Sequence, residues 1–196
     1  MTKGELTRQT ILQQAAQVFS VRGYFGTSMD DLMKATDLTK GGIYNHFGSK
    51  EALALEAFEY AFGLVKARFR ELSEGKRTTR DRLYAVLELF RSVLDDPLLA
   101  GGCPLLNTAV EADDANEPLR NRAREAADDW RGYISRTVRK GLELGDVRPE
   151  VEPEAVASVM ISTLEGAIML SKLYGDNIHM HRTVDHMAAY IDSLLK

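Results

Sequence analysis

Residues 27–53 read TSMDDLMKATDLTKGGIYNHFGSKEAL, and this stretch decides the fold of the N-terminal part of the chain. Ser28 marks a helix start, because its hydroxyl accepts from an orphan backbone N–H while Asp31 complements the positive helix end. Leu32 and Met33 supply apolar contacts, and the segment Ala35, Thr36, Asp37, Leu38 ends that helix. Thr39 then caps a second helix whose first turn is Lys40, Gly41, Gly42. Helices this short are not stable alone, so Leu32, Leu38, Ile43 and Phe47 must share a core with a third element. The sequence predicts that element upstream: a helix over roughly residues 3–22, with Ile11, Leu12, Ala15, Ala16, Val18 and Phe19 as its apolar stripe and Gly23 as its end. Tyr24 and Phe25 are expected to plug the core between this helix and the short pair. The predicted unit is a three-helix helix-turn-helix domain, in which the second short helix enters a DNA major groove and the first crosses the backbone.

The pattern G-Y-x-x-T-S-M-x-x-L at 23–32, followed by A-x-x-L-T-K-G-G-I-Y-N-H-F-G-S-K-E-A-L at 35–53, resembles the N-terminal DNA-binding domain of the TetR family of bacterial transcriptional regulators. The resemblance is close over about the first quarter of the chain; the remainder agrees in length and helical character. Asp37 stands where that family often has glycine and Asn45 where it often has a second tyrosine. Asp37 is expected to make the turn all the same, and Asn45 to alter which bases are read. The resemblance implies a homodimer on a palindromic operator, repression, and release by a small molecule.

The chain has 196 residues, 44% of them hydrophobic, enough for a sizeable core in one large or two modest domains. No apolar run is expected to approach the roughly 20 residues that cross a bilayer, and MTKGELTRQT lacks a signal-peptide core. A cytoplasmic protein without a membrane partner is the expectation. Cys103 is the one cysteine, which excludes an internal disulfide and a cysteine-based zinc site. The formal charge of −4 argues against nucleic acid until its distribution is read. Residues 1–50 hold six basic side chains (Lys3, Arg8, Arg22, Lys34, Lys40, Lys50) against four acidic ones (Glu5, Asp30, Asp31, Asp37), and the acidic excess lies in the rest of the chain. A basic head on an acidic body suits a protein that touches phosphate at one end, with affinity from local contacts and dimerisation.

Thr27, Ser28 and Lys50 are candidate phosphate contacts, since helix N-termini present free amides to anions; for Ser28 a pure capping role is the alternative. Thr39, Lys40 and Gly41 open the helix that reaches base edges, with glycine allowing close backbone approach and Lys40 suited to guanine or phosphate. Tyr44 and His46 are further candidates on phosphate, although a structural hydrogen bond would also explain His46. Ile43 and Phe47, on the opposite face, belong to the core.

Downstream the chain reads as helices only, so the fold class is all-α. The expected spans are 49–72, 79–94 stopped by Pro97, 104–112, 117–144, 153–174 ended by Gly175, and 181–195. The expected domains are a DNA-binding head, 1–48, and a regulatory and dimerisation body, 49–196. The last two helices are the expected subunit interface, because Val156, Val159, Met160, Leu164, Ala167, Ile168 and Ser171 are too many apolar and small groups for one solvent-facing helix. Within them Val159, Ser162, Gly166, Met169, Leu173, Met187 and Ile191 are assigned to the interface, with filling of the protomer core as the alternative. A cavity for a largely hydrophobic effector is expected among Phe69, Phe90, Cys103, Leu106, Asn107 and Val110, with Trp130, Tyr133, Ile134, Met160, Leu164 and Tyr174, although most of these also suit an ordinary core.

Cys103 precedes a helix whose positive end can lower a thiol pKa, so a sensor of oxidants or electrophiles stands beside the plainer reading of a small buried hydrophobe. His179, His181 and His186 with Asp176 and Asp185 have poor spacing for a metal, so neither a metal nor another cofactor is expected. An enzyme is not expected either, for want of a phosphate loop, H-E-x-x-H or G-x-S-x-G. A third class is a helical interaction protein that keeps the head without binding DNA.

Overall fold

The structure, a computed structural model, describes residues 2–94, 99 and 101–196. Among these residues the elements are all helical: α1 (Lys3–Arg22), α2 (Met29–Thr36), α3 (Lys40–Phe47), α4 (Lys50–Ser73), α5 (Thr79–Val93), α6 (Pro104–Ala112), α7 (Glu117–Leu144), α8 (Pro153–Tyr174) and α9 (Ile178–Leu194). The only β pairing among them is an isolated bridge between Val147 and Leu195. The fold is all-α.

Local chemistry sets most of the ends. Thr2 and Glu5 cap α1 reciprocally, Ser28 and Asp31 do the same for α2, and Thr39 accepts from the Gly42 N–H at the start of α3. Asp37 closes α2 in the left-handed region at φ 54, a conformation that a short polar side chain tolerates. The expected stop at Pro97 lies outside the described residues. The last helix begins at Ile178, three residues before its expected start. The Asp176 carboxylate accepts from the Ile178 N–H at 2.9 Å, and the Ser171 hydroxyl of α8 accepts from the Met180 N–H at 3.2 Å. The extra turn is therefore held by groups of the preceding segment, which no cap pattern in α9 announces.

The chain packs as two compact units, one of Met1–Leu64 with Pro97–Arg124 and one of Val65–Asp96 with Glu125–Lys196. In the first, Ile11, Ala15, Leu32, Ile43, Phe47 and Leu53 form a buried cluster, with Leu12, Val18, Phe19, Met29, Met33 and Leu38 partly buried against it. Each fully buried Ile or Leu contributes roughly 1.5–3 kcal/mol relative to exposure, which holds two eight-residue helices that could not stand alone. One expectation fails here: Phe25 is 52% exposed, because its backbone is held by a carboxylate described below and its ring turns outward onto Tyr24.

In the second unit α9 packs on α8 and α5. The Arg80 guanidinium donates to Asp192 at 2.7 Å, an ion pair exposed enough to contribute little. The structure divides α8 into two faces and corrects its assignment. Val156, Met160, Leu164, Ala167, Ile168 and Ser171 are buried within the protomer, as are Met187 and Ile191 of α9, so none of them has surface to offer a second chain. Val159, Met169 and Leu173 are 43%, 52% and 72% exposed, and Ser162 lies with them. A Cβ at Gly166, on that face, would meet nothing within 4 Å. α8 also corrects the expectation about apolar runs: its 22 residues have the length and mean hydropathy to cross a membrane, which follows from one face filling the core while the other carries apolar groups at the surface.

Candidate nucleic-acid interface

α3 presents two faces set by its spacing. Ile43 and Phe47 point into the core, while Thr39, Lys40, Gly41 and Asn45 are exposed and Tyr44 is half-buried. The outward face thus combines a hydroxyl, an ammonium, a bare backbone stretch, a phenol and an amide, which suits base edges and phosphates. Lys40 lies 5.6 Å from the Tyr44 ring centroid. A Cβ at Gly41 would meet nothing within 4 Å, so packing within the fold does not require glycine there. Gly41→Ala should therefore raise thermal stability, by about 0.5–1 kcal/mol from helix propensity, while weakening duplex binding. A variant that is stabilised and binds DNA as before would remove Gly41 from the interface.

The other expected contacts sort by what already holds them. Ser28 is exposed; its hydroxyl accepts from the Asp31 N–H at 3.1 Å and donates to the Asp31 carboxylate at 2.6 Å. Thr27 is 1% exposed and its hydroxyl donates to the Gly23 carbonyl at 2.6 Å, so its side chain fixes the turn. The Lys50 ammonium donates to the Tyr24 carbonyl at 2.6 Å and lies over the Tyr24 ring at 4.3 Å, which ties α4 to that turn and leaves two of its donors for other partners. Burial lowers the Lys50 pKa, with the Glu111 charge working against it. His46 is half-buried, its ring 6.5 Å from that of Phe47.

Hydrogen bonds from the Ser28 hydroxyl and backbone, then the charges of Arg22 and Lys34, hold the Asp31 carboxyl below its ordinary value of 3.8. A lowered folded pKa means that the contribution is present above 3.8 and is lost as pH falls through the folded value. Ser28→Ala should move the Asp31 titration back toward 3.8 and narrow that acid-labile window, which carbon-detected NMR of the carboxyl would record; an unmoved titration would show that the cap does not set it.

Charge pairing refines the charge count. Arg8 is paired with Glu56 and Arg22 with Asp31, both at 2.5 Å, so these cations are largely neutralised. Lys3, Lys34 and Lys40 form no ion pair among the described residues and supply the outward positive charge. Lys34 ends α2 on its exposed side, a place that the sequence count did not assign.

The residues expected to line an effector cavity fall in both units. In the second, Phe69 meets Trp130 and Tyr133 edge-to-face at 4.8 Å each, while Phe90, Ile134, Met160 and Leu164 are buried in the core. Tyr174, at 65% exposure, stands outside that core. In the first unit Val110 is 72% exposed, Leu106 is half-buried, and Cys103 is buried at the residue preceding α6, where an oxidant has little access. Asn107 alone of the expected residues lines the first unit's cavity between α1, α4 and α6.

Comparison with known proteins now fits this geometry. Residues 11–57 match the family described as bacterial regulatory proteins, tetR family, and residues 79–187 match the tetracyclin repressor-like C-terminal domain. A TetR transcriptional regulator from Chloroflexus aurantiacus is 45% identical, covers 100% of this chain and 98% of its own, and superimposes with a TM-score of 0.95. A TetR-family regulator from Cytophaga hutchinsonii is 34% identical, with 100% and 98% coverage and a TM-score of 0.88. The HTH-type transcriptional repressor DhaR of Mycobacterium sp. (strain GP1) is 26% identical over 85% of this chain and 82% of its own length. The chain belongs to the TetR family and is a DNA-binding transcriptional regulator of the helix-turn-helix type.

Proposed function

We propose that the protein is a repressor that binds a palindromic operator as a homodimer and is released by a small, largely hydrophobic molecule. The observation that carries the DNA-reading part is the outward face of α3, with Thr39, Lys40, Gly41, Tyr44 and Asn45 together and Ile43 and Phe47 turned inward. Ser28 and His46 flank that face, and Thr27 and Lys50 support it by fixing the turn and the start of α4. Residues 1–48 act as the reading head and 49–196 as the regulatory and dimerising body. The exposed stripe of α8, Val159, Ser162, Gly166, Met169 and Leu173, supplies the face for a second copy, since apolar and small groups at helical spacing favour close helix contact. Such a regulator works in the bacterial cytoplasm and catalyses no reaction.

Repression also draws support from DhaR, which is named a repressor. The test is titration of a labelled palindromic duplex from the gene's own upstream region at several salt concentrations. Tight binding that weakens steeply with salt is the expected result. Absence of binding at low salt would favour a helical interaction protein that keeps the head without its DNA. Oxidant treatment that weakened binding in the wild type but not in Cys103→Ser would favour a redox sensor instead.

A further inference from the structure

The first unit holds a small apolar cavity walled by α1, α4 and α6 and open to solvent at its mouth. Phe19, Ala57, Phe58 and Pro104 make it apolar, and its polar groups are Asn107, Thr108 and Glu111 of α6 with Ser20 and Tyr24. That composition suits a ligand with an apolar body and one hydrogen-bonding group.

Glu111 defines which group. Its carboxylate accepts from the Tyr24 N–H at 2.7 Å and from the Phe25 N–H at 2.8 Å, so two successive amides of the turn after α1 form a nest filled by a side chain 87 positions away. A Cβ on Gly23, which sits at φ +72, would run into that carboxylate, so the turn is shaped around it. Asn107 adds a second tie, donating to the Ser20 carbonyl at 3.3 Å. α6 thereby clasps the end of α1 beside the cavity. An ionised carboxylate offers about four acceptor positions and the two amides use two; the Lys50 ammonium lies within its electrostatic reach, and the remaining positions can take a further cationic donor from the cavity.

We propose that this cavity is a binding site for a small apolar amine of single-ring size, whose ammonium pairs with the Glu111 carboxylate, and that occupancy loosens the clasp of α6 on residues 23–25. The second half rests on the reading of the chain as an operator-binding regulator; the first does not. An ammonium on the remaining acceptor positions draws the carboxylate and its charge toward the cavity and away from the two amides, so binding weakens the hold on the turn that leads from α1 to α2. Neutral rings of the same size should enter the cavity more weakly, and anionic ones should be repelled.

The experiment uses the full chain, labelled for amide NMR, titrated with benzylamine, toluene and benzoate. Benzylamine should shift the Tyr24 and Phe25 amides saturably, and benzoate should not. Glu111→Gln should weaken benzylamine about tenfold and leave toluene unchanged, a difference expected for losing a charge-assisted hydrogen bond. Ala57→Leu, checked for folding by its far-ultraviolet spectrum, should exclude both; should it fail to fold, Ala61→Val serves as the filling variant. Shifts confined to other residues, or equal benzylamine affinity in wild type and Glu111→Gln, would overturn the site. In the same samples benzylamine should weaken duplex binding about five- to tenfold. Binding at the cavity with unchanged duplex affinity would overturn the coupling. A chain that bound no duplex even without benzylamine would count against the regulator reading, while the amide shifts would still decide the site.

Discussion

A chain carrying Met169→Glu and Leu173→Glu should sediment as a monomer and lose operator affinity by a factor on the order of 10²–10³. Both side chains lie on the outward face of α8, at 52% and 72% exposure, so the protomer does not depend on them for its own core. Exposed substitutions of this kind change folding by about 0.5 kcal/mol or less, and the helical spectrum should be unaltered. At a two-fold contact each glutamate would face its own copy, and carboxylates desolvated without partners oppose association strongly. Two heads held by one dimer bind two half-sites with the gain that linkage provides, and a monomer forfeits it. A double variant that sedimented as a dimer would place the interface elsewhere. A monomer that bound the palindrome as tightly as wild type would separate dimerisation from DNA recognition.

Ile43→Ala should destabilise the first unit by about 2–5 kcal/mol and abolish detectable duplex binding. Ile43 is fully buried among Ile11, Leu32 and Leu53, and with Phe47 it anchors α3 to the rest of the head. α3 has little stability of its own: it has eight residues, two of them glycines, each costing about 1 kcal/mol in a helix relative to alanine. Removing the anchor should let the reading helix fray before α5, α8 and α9 open. Amide exchange would show this directly, with faster exchange in α3 and unchanged protection in those three helices. Uniform loss of protection along the whole chain would mean that the two units unfold together, and binding retained at full strength would mean that α3 does not need the anchor.

Much of the head was legible in the sequence because its determinants are local. Ser28 with Asp31, Thr39 with Gly42 and Asp37 at the turn act over three residues or fewer, and the inward face of α3 follows from the spacing of Ile43 and Phe47. The same reasoning placed Lys40, Gly41 and Tyr44 on the outer side. Local pattern is silent where a side chain has a choice of distant partners. Lys50 is a candidate phosphate contact by its place in the sequence, and the structure adds a bond from its ammonium to the Tyr24 carbonyl, 26 positions away, which uses one of three donors. Phe25 was read as a core plug, yet Glu111 holds its backbone and its ring faces out. Apolar character in the body marks a packed core as readily as a cavity wall, so it does not single out effector residues.

The helices, most of their ends and the helix-turn-helix head are written in local sequence, because caps, turns and periodicity are encoded within a few residues of where they act. Packing of the assembled chain set which apolar groups of α8 face inward, where α9 begins, which head cations lack an ion pair among the described residues, and that Glu111 reaches back to the turn at 23–25. The physical reason is that each of these depends on which surface packs against which. Burial and long-range hydrogen bonds are properties of the assembled chain, and no local pattern carries them.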